Sequence, residues 1–278
     1  MATALSDRNR SLLAGDMQPK FLATISDQGE PNVVPLLSLA PLEEPGFGAF
    51  AEFMMWKTKA NLKETGRLAI LALDAKLRFF TARGEFRGFV NSGPIFDAMA
   101  TQSMFRYNPY NGIRSAGTFE LPAVDAEGQL PAFSVLAAHV RARRMATAAT
   151  VGMSPGRLGP PPVEAGPPWT MPALVAEKYG RLKALKAIAW PAEIGVRVLP
   201  ACGVAPVGRR ALVIADRRVS ALVPEGTRVA VTVITMDPTA YQVKGRAHHW
   251  RGVLLVDVTE TYTAGPPVPG RLCPPAAS

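Results

Sequence analysis

Cysteine is scarce in this 278-residue chain: there are two, Cys202 and Cys273. Such a count gives neither a disulfide framework nor a zinc-type ligand set. Histidine stops at three residues. Two of them, His248 and His249, are neighbours in a strand-like segment, where successive side chains point to opposite faces and cannot easily share one metal. Aromatic residues make up only 8% of the chain. The basic residues exceed the acidic ones by 31 to 22, but they are scattered, densest at Arg141, Arg143 and Arg144. Without an aromatic-studded basic stripe, the net charge of +9 does not make nucleic acid the expected partner. No apolar run reaches the roughly 18 residues of a membrane helix, and Met1 to Asp16 lacks the apolar centre of a signal peptide. The expectation is a cytoplasmic protein with reduced thiols and no membrane partner. A nucleophile elbow and a phosphate loop are also missing. Gly46-Phe-Gly-Ala-Phe-Ala fits a loose dinucleotide pattern, but a Pro-rich loop precedes it and a strand-like run follows, the wrong context for that fingerprint.

What the chain does have is 48% hydrophobic residues with 24 Gly and 26 Pro, the composition of a folded, turn-rich protein. Two apolar runs, Phe21 to Ser26 and Asn32 to Leu37, flank a Gly-containing turn and predict a hairpin. Lys57 to Glu64 predicts a short helix, with Thr58 as its N-cap and Gly66 past its end. Arg67–Leu73 and Leu77–Ala82 read as strands, Ile95–Phe105 as a helix and Phe133–Ala146 as a long strand. Residues 154–168 are rich in Pro and Gly and read as a linker. Beyond it, Leu174–Lys186 predicts a helix whose Lys178, Arg181, Lys183 and Lys186 form a solvated basic face. Strands follow at Ile194–Leu199, Ala211–Ile214, Arg228–Thr235, Thr239–Lys244 and Gly252–Tyr262.

Residues 57 to 90 align without a gap on the second half of the chain at an offset of 161 residues, with five identities. Ala60, Glu64, Arg67, Ala69 and Gly84 fall on Ala221, Glu225, Arg228, Ala230 and Gly245, and Lys57 falls on Arg218. This predicts a tandem repeat of two barrel-like units, 15–153 and 169–270, the first with a helical insert at 94–129.

The stretches Phe21–Ile25, Gly29–Pro35, Met55–Leu62, Glu64–Ile70 and Phe80–Gly84 resemble, in that order, the FMN-binding split β-barrel superfamily that includes pyridoxamine 5′-phosphate oxidase. Within it the look is nearest to the small FMN-binding proteins of the Desulfovibrio type. The resemblance covers about residues 15–150. It implies a mainly β fold with short helices, here two fused split β-barrels of Greek-key, FMN-binding type, and a flavoprotein that passes electrons or hydride through bound FMN. It also implies that Val34, Pro35, Leu36, Leu37 and Ser38, with Phe53, Met54 and Met55, line the flavin ring. Those proteins place Asn, Thr and Trp where this chain has Val34, Pro35 and Leu36, so the ring contacts differ.

FMN carries a phosphate dianion, and a helix start offers free backbone N–H groups to one. Lys57, Thr58 and Asn61 are the expected phosphate ligands. In the second half Val219 and Leu222 replace Thr58 and Asn61, so that half is expected to be degenerate and to bind no phosphate. Split-barrel proteins pair as homodimers around the flavin. A tandem chain is expected to pair internally as a pseudo-dimer, with a homodimer as the second arrangement and Trp190 and Trp250 as candidates to cover the ring. Arg83 and Lys244 are candidates to stabilise reduced, anionic flavin. The partners are then a small-molecule substrate or electron donor. Three alternatives stand beside this reading: a deazaflavin-dependent reductase, a haem-handling protein of the same fold, and a non-catalytic module that has lost its cofactor.

Overall fold

The structure, a computed structural model, describes residues 5–16, 18–105, 112–152, 170–236, 239–264 and 270–273. The expected linker at 154–168 lies outside the described residues. The chain divides into two compact units, Met1–Leu130 with Ala192–Val198, and Pro131–Pro191 with Leu199–Ser278. Among the described residues no helix is long and apolar enough to cross a membrane. The fold class expected from the sequence is present: the chain is mainly β, in two antiparallel sheets.

The first unit runs α1 (Asp7–Ala14), β1 (Lys20–Ile25), β2 (Pro31–Pro35), β3 (Ala40–Pro41), β4 (Phe47–Ala51), α2 (Trp56–Thr65), β5 (Arg67–Leu73), β6 (Arg78–Val90), α3 (Pro94–Ala100), a short 3-10 turn (Ser103–Phe105) and β7 (Ala116–Gln129). The sheet order is β2-β1-β5-β6-β7-β4-β3. The predicted hairpin is β1–β2, and its turn closes where the Gly29 N–H donates to the Ser26 carbonyl at 3.1 Å. Gly29 has φ +75°, a conformation that a side chain would disfavour. Residues 94–129, expected as an insert, hold α3, the 3-10 turn and β7. Strand β7 is a full member of the sheet between β6 and β4. Phe50, Phe80, Phe119, Leu22, Leu68 and Ile70 form the buried core. The Phe50 and Phe119 rings stack at 6.2 Å.

Strand β1 is buried along its whole length, including Lys20. The Lys20 ammonium donates to the carbonyls of Leu13 at 3.0 Å, Gly15 at 3.0 Å and Leu39 at 2.6 Å. It thereby satisfies acceptors at the C-terminal end of α1 and in the loop before β3. Burial pushes the ammonium's pKa down from 10.5 to about 8, against the upward pull of Asp16.

After the first unit's β7 the chain runs α4 (Ala132–Gly152), α5 (Ala173–Gly180), β8 (Leu185–Pro191), β9 (Val196–Pro200), β10 (Val204–Val207), β11 (Ala211–Ile214), α6 (Arg217–Leu222), β12 (Arg228–Ile234), β13 (Ala240–Trp250), β14 (Val253–Thr263) and β15 (Gly270–Cys273), all in the second unit except the start of β9, which falls in Ala192–Val198. The order of this second sheet is β10-β11-β14-β13-β12-β8-β9, with β15 on β14. The strand expected at Phe133–Ala146 is instead part of the 21-residue helix α4. The apparent alternation through Val135, His139, Arg141 and Arg143 is not the operative period. Ala142, Ala146 and Ala149, spaced three and four apart, are buried against Ala205, Val207, Val213 and Leu255. Alanine is the strongest helix former and lets α4 lie close to the sheet.

The helix expected at 174–186 stops at Gly180, and Leu185 opens β8. The basic face expected there is not formed as a solvated face, because Lys178 and Lys186 are buried. Tyr179 on α5 is fully buried. Its hydroxyl lies 2.6 Å from the Val231 carbonyl in β12 and 3.3 Å from that of Tyr241 in β13.

Three consecutive elements, α2, β5 and β6, have counterparts at the 161-residue offset seen in the sequence. The bounds of β5 and β12 coincide under it, α2 overlays α6, and β6 overlays β13. Gly84 and Gly245 share a further detail. Each sits at a register shift of its strand, and a Cβ on either would run into a carbonyl oxygen of the next strand, Glu120 and Asp257 respectively.

Candidate functional site

The predicted site residues lie at and around the start of α2 in the first unit. Strand β4 ends at Ala51. Glu52 then continues the pairing, its N–H donating to the Ser115 carbonyl at 2.8 Å and its carbonyl accepting from the Arg114 N–H at 3.2 Å. The Glu52 side chain is buried. Its carboxylate accepts from Lys59 Nζ at 2.6 Å and from the Ser115 hydroxyl. Burial pushes the Glu52 carboxyl up. The hydrogen bonds from Lys59 and Ser115 and the charges of Lys59 and Arg114 outweigh it and hold the carboxyl below its ordinary range. The Lys59 ammonium sits 5.0 Å above the Phe89 ring. Lys59 lies within the Met55–Leu62 stretch but has no expected role there, and Glu52 carries no local signal, because their pairing depends on β4 and α2 meeting in the fold.

Met54 turns the chain with φ +50°, and α2 begins at Trp56. The N-cap is Met55, not Thr58, and no side chain caps the helix start. Its first turn holds no acidic residue. Trp56 is 60% exposed, and the Arg114 guanidinium lies 4.5 Å from its ring centre. Lys57 is exposed in the same turn. The result is a helix start with no capping side chain and two cations beside it, a setting that favours an anion.

The other two expected phosphate ligands face inward. The Thr58 hydroxyl accepts from Asn32 Nδ2 at 3.0 Å, and Asn61 Nδ2 donates to the Thr24 hydroxyl at 3.0 Å. Both side chains are buried and stitch α2 onto β1 and β2. Ser38 is likewise engaged: its hydroxyl accepts from the Ala51 N–H at 3.1 Å, and its carbonyl accepts from Gln102 Nε2 at 3.1 Å. Leu36 and Met55 belong to the core, with Val34 packed against it. Pro35, Leu37, Phe53 and Met54 are half-buried. The Phe53 ring is 6.2 Å from that of Phe105.

The candidates for the flavin's anionic edge are occupied. Arg83 Nε donates to both oxygens of Asp125, at 2.7 and 2.9 Å. Lys244 is buried in the second unit, 6.0 Å from the Tyr262 ring centre. Trp190 is core in that unit, and Trp250 packs against the α4 cluster with Arg251 at 5.3 Å. His248 Nδ1 lies 2.9 Å from Glu225, and His249 Nε2 lies 2.9 Å from the Val223 carbonyl. Among the described residues no group of His, Cys, Asp and Glu is arranged to hold a metal ion.

No protein-family model matches the chain, and no curated protein matches it. Solved structures do. An FMN-binding protein from Syntrophomonas wolfei is 21% identical, with 45% of this chain and 86% of that one covered and a TM-score of 0.40. An F420 reductase is 19% identical over 44% of this chain and 98% of its own, with a TM-score of 0.36. HutZ, the haem storage protein of Vibrio cholerae, is 14% identical over 46% of this chain and 97% of its own, with a TM-score of 0.32.

Proposed function

We propose that the chain is a flavoprotein built as a tandem pair of split β-barrels, with FMN bound to the first unit and its phosphate at the start of α2. The observation that carries this reading is the uncapped helix start flanked by Lys57 and Arg114, with no acid in its first turn. A phosphate there would take backbone N–H groups and two cationic side chains. Val34–Leu37 and Phe53–Met55 are the segments assigned to the ring, with Val34, Pro35, Leu37, Phe53 and Met54 as half-buried apolar cover over the buried Leu36 and Met55. Ser38, Thr58 and Asn61 act one layer back, holding the strands and helix that present this surface. Bound FMN supplies hydride or electron transfer, and the protein contributes binding, orientation and electrostatics.

The tandem reading rests on the shared offset and on the matched glycines Gly84 and Gly245. In it the second unit stands in for a second subunit, and a sizing experiment separates a monomer from a homodimer. The electron donor and substrate are small molecules in this reading.

A second reading, a module without cofactor, is favoured by one observation: Ser38, Thr58 and Asn61 already spend their polar side chains within the fold. Titration of the purified protein with FMN and with riboflavin separates the two. FMN bound at least tenfold more tightly than riboflavin, and that advantage reduced in Lys57→Ala, supports the phosphate site. A colourless protein that ignores both leaves the module reading. A deazaflavin or haem is distinguished by its absorption spectrum on titration.

A further inference from the structure

The three arginines of α4 form the densest basic group of the chain, and the fold treats them differently. Arg141 Nη2 donates to the Gly252 carbonyl at 2.9 Å. Arg143 and Arg144 are exposed, and among the described residues neither guanidinium has a hydrogen bond or an ion pair. Their settings differ. Arg143 lines a cleft of about 430 Å³ between α4, α5 and β10, all within the second unit, and Arg144 lies outside it. Small-molecule sites run from about 300 to 1,000 Å³. Thr147 and Thr150 follow Arg143 on the same helical face and line the same cleft. From α5 come Glu177 and Arg181, paired with Nη2 donating to the carboxylate at 2.6 Å. The space is there because Ala146, Ala176 and Ala205 put only methyl groups on the three facing surfaces.

We propose that this cleft binds a small hydroxy acid, with its carboxylate on Arg143, its hydroxyl on the threonines and a short apolar body against the alanines. The charge of the lining sets the class. Arg143 and Arg181 against Glu177 leave one positive charge, which a single carboxylate neutralises. A phosphate monoester carries about −1.5 to −2 at pH 7 and would leave surplus negative charge beside Glu177. The planar donor fork of a guanidinium also matches a carboxylate in shape. The threonines set the need for a donor on the ligand. The Thr147 hydroxyl donates to the Arg143 carbonyl at 3.1 Å, and the Thr150 hydroxyl to that of Ala146 at 2.9 Å. With those protons committed, both oxygens meet a ligand as acceptors. The site belongs to the second unit and does not depend on flavin binding by the first.

The test uses the full chain, with 3-phenyllactate, 3-phenylpropionate, 3-phenyllactamide and inorganic phosphate titrated separately by calorimetry. The expected result is one 3-phenyllactate per chain, weaker binding of 3-phenylpropionate, which lacks the hydroxyl, and none of the uncharged amide. Arg143→Gln is expected to lower the affinity about tenfold to a hundredfold, the range for a lost charge-assisted contact. Arg144→Gln makes the same charge change one residue on, outside the cleft, and is expected to leave the affinity at the wild-type value. Both positions are exposed, so both variants keep the fold, which circular dichroism checks. The double variant Thr147→Val, Thr150→Val is expected to erase the preference for 3-phenyllactate over 3-phenylpropionate. Equal losses in Arg143→Gln and Arg144→Gln overturn the site, because the acid then senses net charge alone. A preference that survives the double variant overturns the role of the threonines. Phosphate bound more tightly than 3-phenyllactate overturns the carboxylate class. No binding of either carboxylate at millimolar concentration overturns the inference as a whole.

Discussion

Replacing Lys20 by methionine removes an ammonium held by three carbonyls, and the consequence is best read as a function of pH. In the folded chain the ammonium titrates at about 8 rather than 10.5. Between those values the unfolded chain keeps a proton that the folded chain has released. Stability must therefore rise with pH across that window. Below pH 8 both states are protonated, and the cost of burying the charge is present in full. The total gain is about 3.4 kcal/mol, from a gap of about 2.5 at about 1.36 kcal/mol each, with about 2–3 kcal/mol of it reached by pH 10. Lys20→Met also leaves the carbonyls of Leu13, Gly15 and Leu39 without their donor, at about 1–3 kcal/mol for each buried acceptor. That part is the same at every pH. The difference in stability between wild type and Lys20→Met is therefore expected to widen by about 2–3 kcal/mol from pH 7 to pH 10. Subtracting the variant cancels every other group that titrates in this range. Urea unfolding read by hydrogen exchange on peptides from β1 gives the local stability at each pH. A difference that stays constant from pH 7 to 10 would refute the reasoning.

Further outcomes follow from the geometry. Glu52→Gln breaks the pair with Lys59 and is expected to cost about 1.5–3 kcal/mol at pH 7 in urea unfolding. Because the folded carboxyl is held low, its contribution is present above the ordinary 4.5 and fades as pH falls through the lowered value, so the variant should show a flatter acid limb. Thr58→Val strands the Asn32 amide and should cost about 1–3 kcal/mol by the same assay, while the FMN affinity of the folded variant stays at the wild-type value. Gly84→Ala puts a Cβ 2.5 Å from the Glu120 carbonyl oxygen, and Gly245→Ala meets the Asp257 carbonyl closer still. Each is expected to lose about 1–3 kcal/mol or more in thermal unfolding, with Gly245→Ala the larger loss.

The readable parts of the fold were those governed by local pattern. The hairpin at Asp27–Gly29 carries its turn residues in sequence, and the apolar runs Arg67–Leu73 and Arg228–Thr235 fall on β5 and β12. Helix α4 was not readable as a helix because its buried face is alanine, whose small side chains give no strong apolar rhythm, while Val135, His139 and Arg141 alternate by chance. The site divides in the same way. Lys57 at a helix start is a local signal. The roles of Thr58 and Asn61 were hidden, since the residue types suit a phosphate equally well and their partners, Asn32 and Thr24, come from distant strands. Lys20 and Glu52 take their meaning wholly from tertiary neighbours.

The Tyr179 hydroxyl touches one carbonyl in β12 and one in β13, the pair at the middle of the second sheet. Neither strand can peel from the other without that phenol losing an acceptor in a fully buried setting, where an unmet hydroxyl is costly. Helix α5 therefore works as a latch on the sheet's centre. Partial opening of this unit should begin at its outer strands, and the amides of β12 and β13 should exchange only when α5 lets go.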